Sequence, residues 1–107
     1  MANILANSFV NTIVDTPQVV YTAPSSGSTT ISSFTVANNS TVNASYKAYI
    51  TDSITTDKKI IPFKVVVWGE NDLGLGLVNQ VIPAGGALRV ESSALNSIYF
   101  TVSGIES

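Results

Sequence analysis

Histidine and cysteine are both absent from the 107 residues. Without histidine the chain lacks the usual general base, the commonest metal ligand and every Ser–His or Cys–His arrangement. Without cysteine it can form no disulfide, thiolate nucleophile or thiolate metal site. Charge is scarce too: 11% of residues are charged, against about 25% in ordinary globular domains. The five Lys and Arg, at a net charge of −2, cluster nowhere except Lys58–Lys59. A nucleic-acid surface needs clustered cations to track phosphates, so no nucleic-acid partner is expected, and steering towards a membrane is disfavoured likewise. No apolar run reaches the length of a membrane-spanning helix. The opening MANILANSFVNTIVD has neither the basic nor the continuous apolar region of a signal peptide, so synthesis in a cytoplasm is the expectation.

What fills the chain instead is Ser, Thr and Asn, about a third of it, with Val and Ile leading an apolar fraction of 45%. β-Branched side chains, and hydroxyls and amides that compete for backbone bonds, favour strands and turns over helices. The length allows one domain with one modest core.

Alternation marks the strands. From Val42 to Ile50 the even positions are Val42, Ala44, Tyr46, Ala48 and Ile50, while Asn43, Ser45, Lys47 and Tyr49 face the other way. Ile98, Phe100 and Val102 share one face near the end, with Ser97, Tyr99, Thr101 and Ser103 opposite; Leu88 and Val90 point in between Arg89 and Glu91. Lys59–Trp68 is the most apolar run, with Ile61, Phe63, Val65 and Val67 on one face. Pro62 donates no ladder bond, which puts that stretch at an edge or a bulge. Weaker strands are expected near Ser8–Val14, Gln18–Ala23 and Thr30–Asn38. In the last, Ile31 is out of phase with Phe34 and Val36, which predicts a bulge near Ser32–Ser33.

Turn residues separate these runs at Thr16–Pro17, Pro24–Ser28, Asn38–Thr41, Thr51–Asp57, Gly69–Gly76 and Pro83–Gly86. The pattern predicts one all-β domain over residues 1–107, an antiparallel β-sandwich of seven or eight strands. Jelly-roll and immunoglobulin-like orders both remain open. Residues 1–7 show no clear alternation and are a candidate N-terminal arm, with Ile4 and Leu5 as its apolar contacts.

Chemistry is hard to find. The acids Asp15, Asp52, Asp57, Glu70, Asp72, Glu91 and Glu106 fall in loops, on outward strand positions or at a terminus. A glycosidase-type carboxylate pair is the one catalytic arrangement left open, because chain spacing does not fix spatial spacing. Solvated acids are the preferred reading, and no enzyme is expected. Gly69–Gly74 offers oxygen ligands but lacks the acid spacing and distal Glu of a calcium loop. Leu73–Leu77 has glycines but no helix to complete a phosphate cradle. Neither a metal nor a cofactor is expected. The sequons at Asn38, Asn39 and Asn43 are expected by chance at this composition.

Among the aromatics, Phe34, Tyr46, Phe63 and Phe100 are predicted core. Tyr49 and Tyr99 lie on polar faces and Trp68 closes a strand, which makes them candidate interface residues. Cross-strand pairing on a partly covered sheet face explains them as well.

Val20-Tyr21-Thr22-Ala23-Pro24 and the strand Ile31–Asn39 resemble the opening of small β-sandwich virion proteins of tailed bacteriophages. Val81–Leu88, with its Ile-Pro-Ala-Gly turn, and Phe100–Glu106 are similar to later parts of the same group, whereas Asp52–Leu77 has no counterpart. The resemblance implies a capsid decoration (cement) protein or a neck or tail accessory protein. It would be a small homo-oligomer, partnered by major capsid or tail proteins and located in the virion. It implies no catalytic or ligand-binding residue. The alternative is a carbohydrate-binding or adhesin-like module that stacks sugars on Trp68, Tyr49 and Tyr99.

Overall fold

The computed structural model of the chain describes residues 2–9, 17–52, 59–94 and 97–106. These residues form nine strands and no helix: β1 (Ala2–Phe9), β2 (Gln18–Thr22), β3 (Thr29–Asn38), β4 (Ala44–Thr51), β5 (Lys59–Val66), β6 (Asn71–Asp72), β7 (Val81–Ile82), β8 (Ala87–Ser92) and β9 (Ile98–Glu106). β6 and β7 have two residues each, so seven strands carry most of the two sheets.

All pairing is antiparallel. One sheet runs β1-β9-β3-β6, with β7 also on β3, and the other runs β2-β8-β4-β5. The pairs β1–β9, β2–β8, β3–β6/β7 and β4–β5 nest inside one another like rungs of a single long hairpin. Folding that hairpin over adds the contacts β9–β3 and β8–β4. This nested order is that of a jelly roll, the arrangement of two Greek keys in two sheets. It settles a choice that alternation left open, because strand order is fixed by residues far apart in sequence.

The inward faces of both sheets share one core. Ile31, Phe34 and Val36 of β3 and Ile98, Phe100 and Val102 of β9 meet Ala44, Tyr46 and Ala48 of β4 and Leu88 and Val90 of β8. Tyr46 packs edge-on against Phe100, with ring centroids 5.6 Å apart, and tilted against Phe34 at 6.4 Å. Each buried Ile, Leu, Val or Phe among them contributes about 1.5–3 kcal/mol by leaving water.

The expected bulge in β3 is present. Ile31 pairs with Gly104 but Ser33 with Ser103, so the extra residue brings Ile31 into phase with Phe34 and Val36. Gly104 faces this bulge, where a Cβ would stand 2.4 Å from the Thr30 carbonyl oxygen.

Three expectations are corrected. Phe63 is 61% exposed rather than core. Register explains it: Tyr46 pairs with Lys64 but Ala48 with Ile61, so β5 carries an extra residue at Pro62–Phe63. Inward positions are therefore Val66, Lys64 and then Ile61, while Phe63 and Val65 point out. Val42 is exposed because β4 begins only at Ala44. Residues 2–9 are not a free arm but a strand paired along its length with β9. Residues 10–14 of the strand expected there lie outside the described residues, as do residues 53–58 of the following loop region.

Candidate interaction surface

Ten large hydrophobic residues are exposed among the described residues, and seven belong to β5, the loops on either side of β6 and the turn before β4. They are Val42, Phe63, Val65, Val67, Trp68, Leu73 and Leu75. β5 is also the end strand of its sheet. An open edge invites pairing with another chain, and bulges, proline and lysine discourage continuous ladders there. β5 has all three, in its register breaks, Pro62 and Lys64. Its backbone is thus blunted while its outward side chains stay apolar.

On the outer face of β5, Phe63 and Val65 border a groove of about 210 Å³ completed by Asn43, Ala44, Ser45 and Ser93. Asn43 ties this groove to Trp68 by accepting the Trp68 N–H at 3.1 Å through Oδ1. Trp68 itself is 58% exposed.

Asn38 holds the region together. Its Nδ2 donates to the carbonyls of Val42 and Val66, and its Oδ1 accepts from the N–H and hydroxyl of Ser40. Two donors and two acceptor bonds exhaust what a carboxamide offers. Its backbone N–H donates to the Glu70 carbonyl, and its carbonyl accepts from the Gly69 N–H. One buried residue therefore pins the turn before β4, the end of β5 and the loop bearing Trp68. In the sequence Asn38 reads as the end of a strand, the start of a turn and a chance sequon. Its place at the end of a strand, among turn residues, was the one available hint.

Tyr49 is the other correction. It is 5% exposed, and its hydroxyl donates to Glu91 Oε1, also buried. Burial, then the hydrogen bond to Glu91, pushes the Tyr49 phenol up to about 12. Lys47 Nζ lies 3.9 Å from Glu91 Oε2, and Arg89 donates to Thr51. Lys47 pairs with Glu91 and Tyr49 with Arg89 across the ladder, so a polar network fills this face. Tyr99 is half-buried on β9, opposite Phe9 and Ala37, while Ile4 and Leu5 stand opposite Gly104 and Ser103. The five candidate residues Ile4, Leu5, Tyr49, Trp68 and Tyr99 thus do not converge on one site.

A second opening lies on the inner side of β5, a cleft of about 220 Å³ lined by Tyr46, Ile61, Lys64, Asp72, Gly74, Leu75 and Gly76. Tyr46 donates its hydroxyl to Asp72 Oδ2 at 2.5 Å. Burial, reinforced by this bond, raises the Tyr46 phenol far above its ordinary value. Gly74 (φ +54°) closes the cleft floor, where a Cβ would stand 2.3 Å from the Phe34 ring. Among the described residues no three acidic side chains gather as a metal site.

Comparison with family models, curated proteins and solved structures found no match to the chain.

Proposed function

We propose that this chain is a structural protein of a bacteriophage virion, a capsid decoration (cement) protein that binds the assembled shell through its β5 surface. The observation that carries the reading is the cluster of exposed apolar side chains on β5 and its flanking loops, around Phe63, Val65 and Trp68. Clustered apolar exposure on a soluble domain marks an interaction site, and burying it between neighbours stabilises the assembly by mass action. The Asn38 bonds support this, since a preordered surface costs less to dock.

The lack of His and Cys and the dispersal of the acids favour a non-catalytic role. Jelly rolls serve viral capsids, lectins and cupins alike, so the fold is compatible with the reading without selecting it. The partners would be major capsid, neck or tail proteins and further copies of the chain, after synthesis in the host cytoplasm. The carbohydrate-binding alternative on Tyr49, Trp68 and Tyr99 has less support. Tyr49 is buried, and Trp68 stands on the loop after β5 while Tyr99 is half-buried on β9.

The test is to mix purified protein with capsids and with tails lacking it, then sediment and image them. Saturable occupancy of defined positions is expected, and no binding to either would overturn the proposal.

A further inference from the structure

The cleft on the inner side of β5 is lined by polar groups that make no hydrogen bond among the described residues. Asp72 Oδ2 is engaged, accepting from the Tyr46 hydroxyl at 2.5 Å and the Gly74 N–H at 3.1 Å. Among the described residues Oδ1 accepts no hydrogen bond; Lys64 Nζ stands 3.9 Å from it, beyond hydrogen-bond range. Among the described residues Lys64 Nζ donates no hydrogen bond, and neither do the N–H groups of Leu75 and Gly76. The carbonyls of that turn are taken up by Leu77, Val78 and Gln80. The cleft is thus lined by a carboxylate and an ammonium 3.9 Å apart, by the turn residues Leu75 and Gly76 and by the aliphatic side chain of Ile61.

We propose that this cleft binds one ring of a neutral saccharide. Adjacent sugar hydroxyls both donate and accept. One can donate to Asp72 Oδ1 while its neighbour accepts from Lys64 Nζ, bridging the 3.9 Å gap without separating the charges. The Leu75 and Gly76 N–H groups meet further sugar oxygens, and the C–H face of the ring lies against Ile61 and Leu75. An anion would face Asp72 and a cation Lys64. A zwitterion would have to part the existing pair, and Lys64, 54% exposed, repays little for that. At about 220 Å³ the cleft is smaller than sites for drug-sized ligands, so it admits one ring and not a chain.

The test is an amide-shift titration of the isotope-labelled chain with methyl glycosides of glucose, galactose, mannose and N-acetylglucosamine, and with glycine as the zwitterion. Saturable shifts at Gly74, Leu75 and Gly76 are expected with at least one glycoside and not with glycine. Asp72→Asn and Lys64→Gln should each weaken that binding roughly tenfold, the loss of a charge-assisted hydrogen bond. Asp72→Asn keeps an oxygen acceptor for Tyr46, and Lys64→Gln changes an exposed side chain and serves alone if the first disturbs folding. The proposal is overturned by no saturable shift with any glycoside, by saturation with glycine alone, or by unchanged affinity in Lys64→Gln. Such a failure leaves the apolar surface on the opposite face of β5 unaffected, so the two readings fail separately.

Discussion

The side-chain amide of Asn38 donates to the carbonyl of Val66 at 2.9 Å, joining the end of β3 to the end of β5 across 28 residues of sequence. This bond and its three companions set the geometry from which Phe63, Val65 and Trp68 are presented. Asn38→Leu keeps the branching at Cγ, in a bulkier side chain, but removes four hydrogen bonds and strands a buried carbonyl. A loss of about 2–4 kcal/mol is expected in urea unfolding. Trp68 fluorescence of the folded variant should also shift, because the loop bearing it loses its anchor.

Tyr49 makes stability sensitive to alkali. Its phenol titrates at about 12 in the folded chain and near 10 in the unfolded one. The unfolded state therefore sheds the proton first, so the stabilisation is complete below pH 10 and is lost as pH rises towards 12. Tyr21, raised by burial and its hydrogen bond to Glu106, and Tyr46 act in the same direction. Unfolding free energy measured from pH 8 to 12 should be flat and then fall. Tyr49→Phe should lower the plateau by about 1–3 kcal/mol, leaving Glu91 without its donor, and make the alkaline fall shallower. An unchanged fall would remove Tyr49 from this role.

Gly104→Ala tests the packing beside the β3 bulge. The added methyl would stand 2.4 Å from the Thr30 carbonyl oxygen, a backbone atom that cannot swing away. A loss of about 1–3 kcal/mol is expected in thermal or urea unfolding. The same change at Gly69, with nothing within 4 Å of a Cβ, tests backbone conformation alone through its φ of +75°.

Much of this architecture was legible in the residues. Alternation in β4, β8 and β9 identified Tyr46, Leu88, Val90, Phe100 and Val102 as core. The phase slip between Ile31 and Phe34 marks the bulge that the β3–β9 register contains. The same reasoning failed at Phe63, because the extra residue at Pro62–Phe63 inverts the faces, and with apolar residues on both faces the run gives little phase to track. At Tyr49 an interface and cross-strand pairing stayed open, and the structure has the pairing. The polar neighbours of Tyr49 suggested solvent, yet Glu91 lies 42 residues on in sequence and pairing alone brings it near. The jelly-roll order, the Asn38 bonds and the cleft at Asp72 all depend on such distant partners.

The surface on β5 is the central claim, and substitution at Phe63 tests it most directly. Phe63 is 61% exposed, so Phe63→Asp should change stability by no more than about 0.5 kcal/mol. Trp68→Ser, also at an exposed site, serves as an independent second variant. In co-sedimentation with capsids and tails lacking the protein, the unaltered chain should bind saturably, and both folded variants should lose that binding. Equal saturable binding by the chain and by Phe63→Asp would contradict the account.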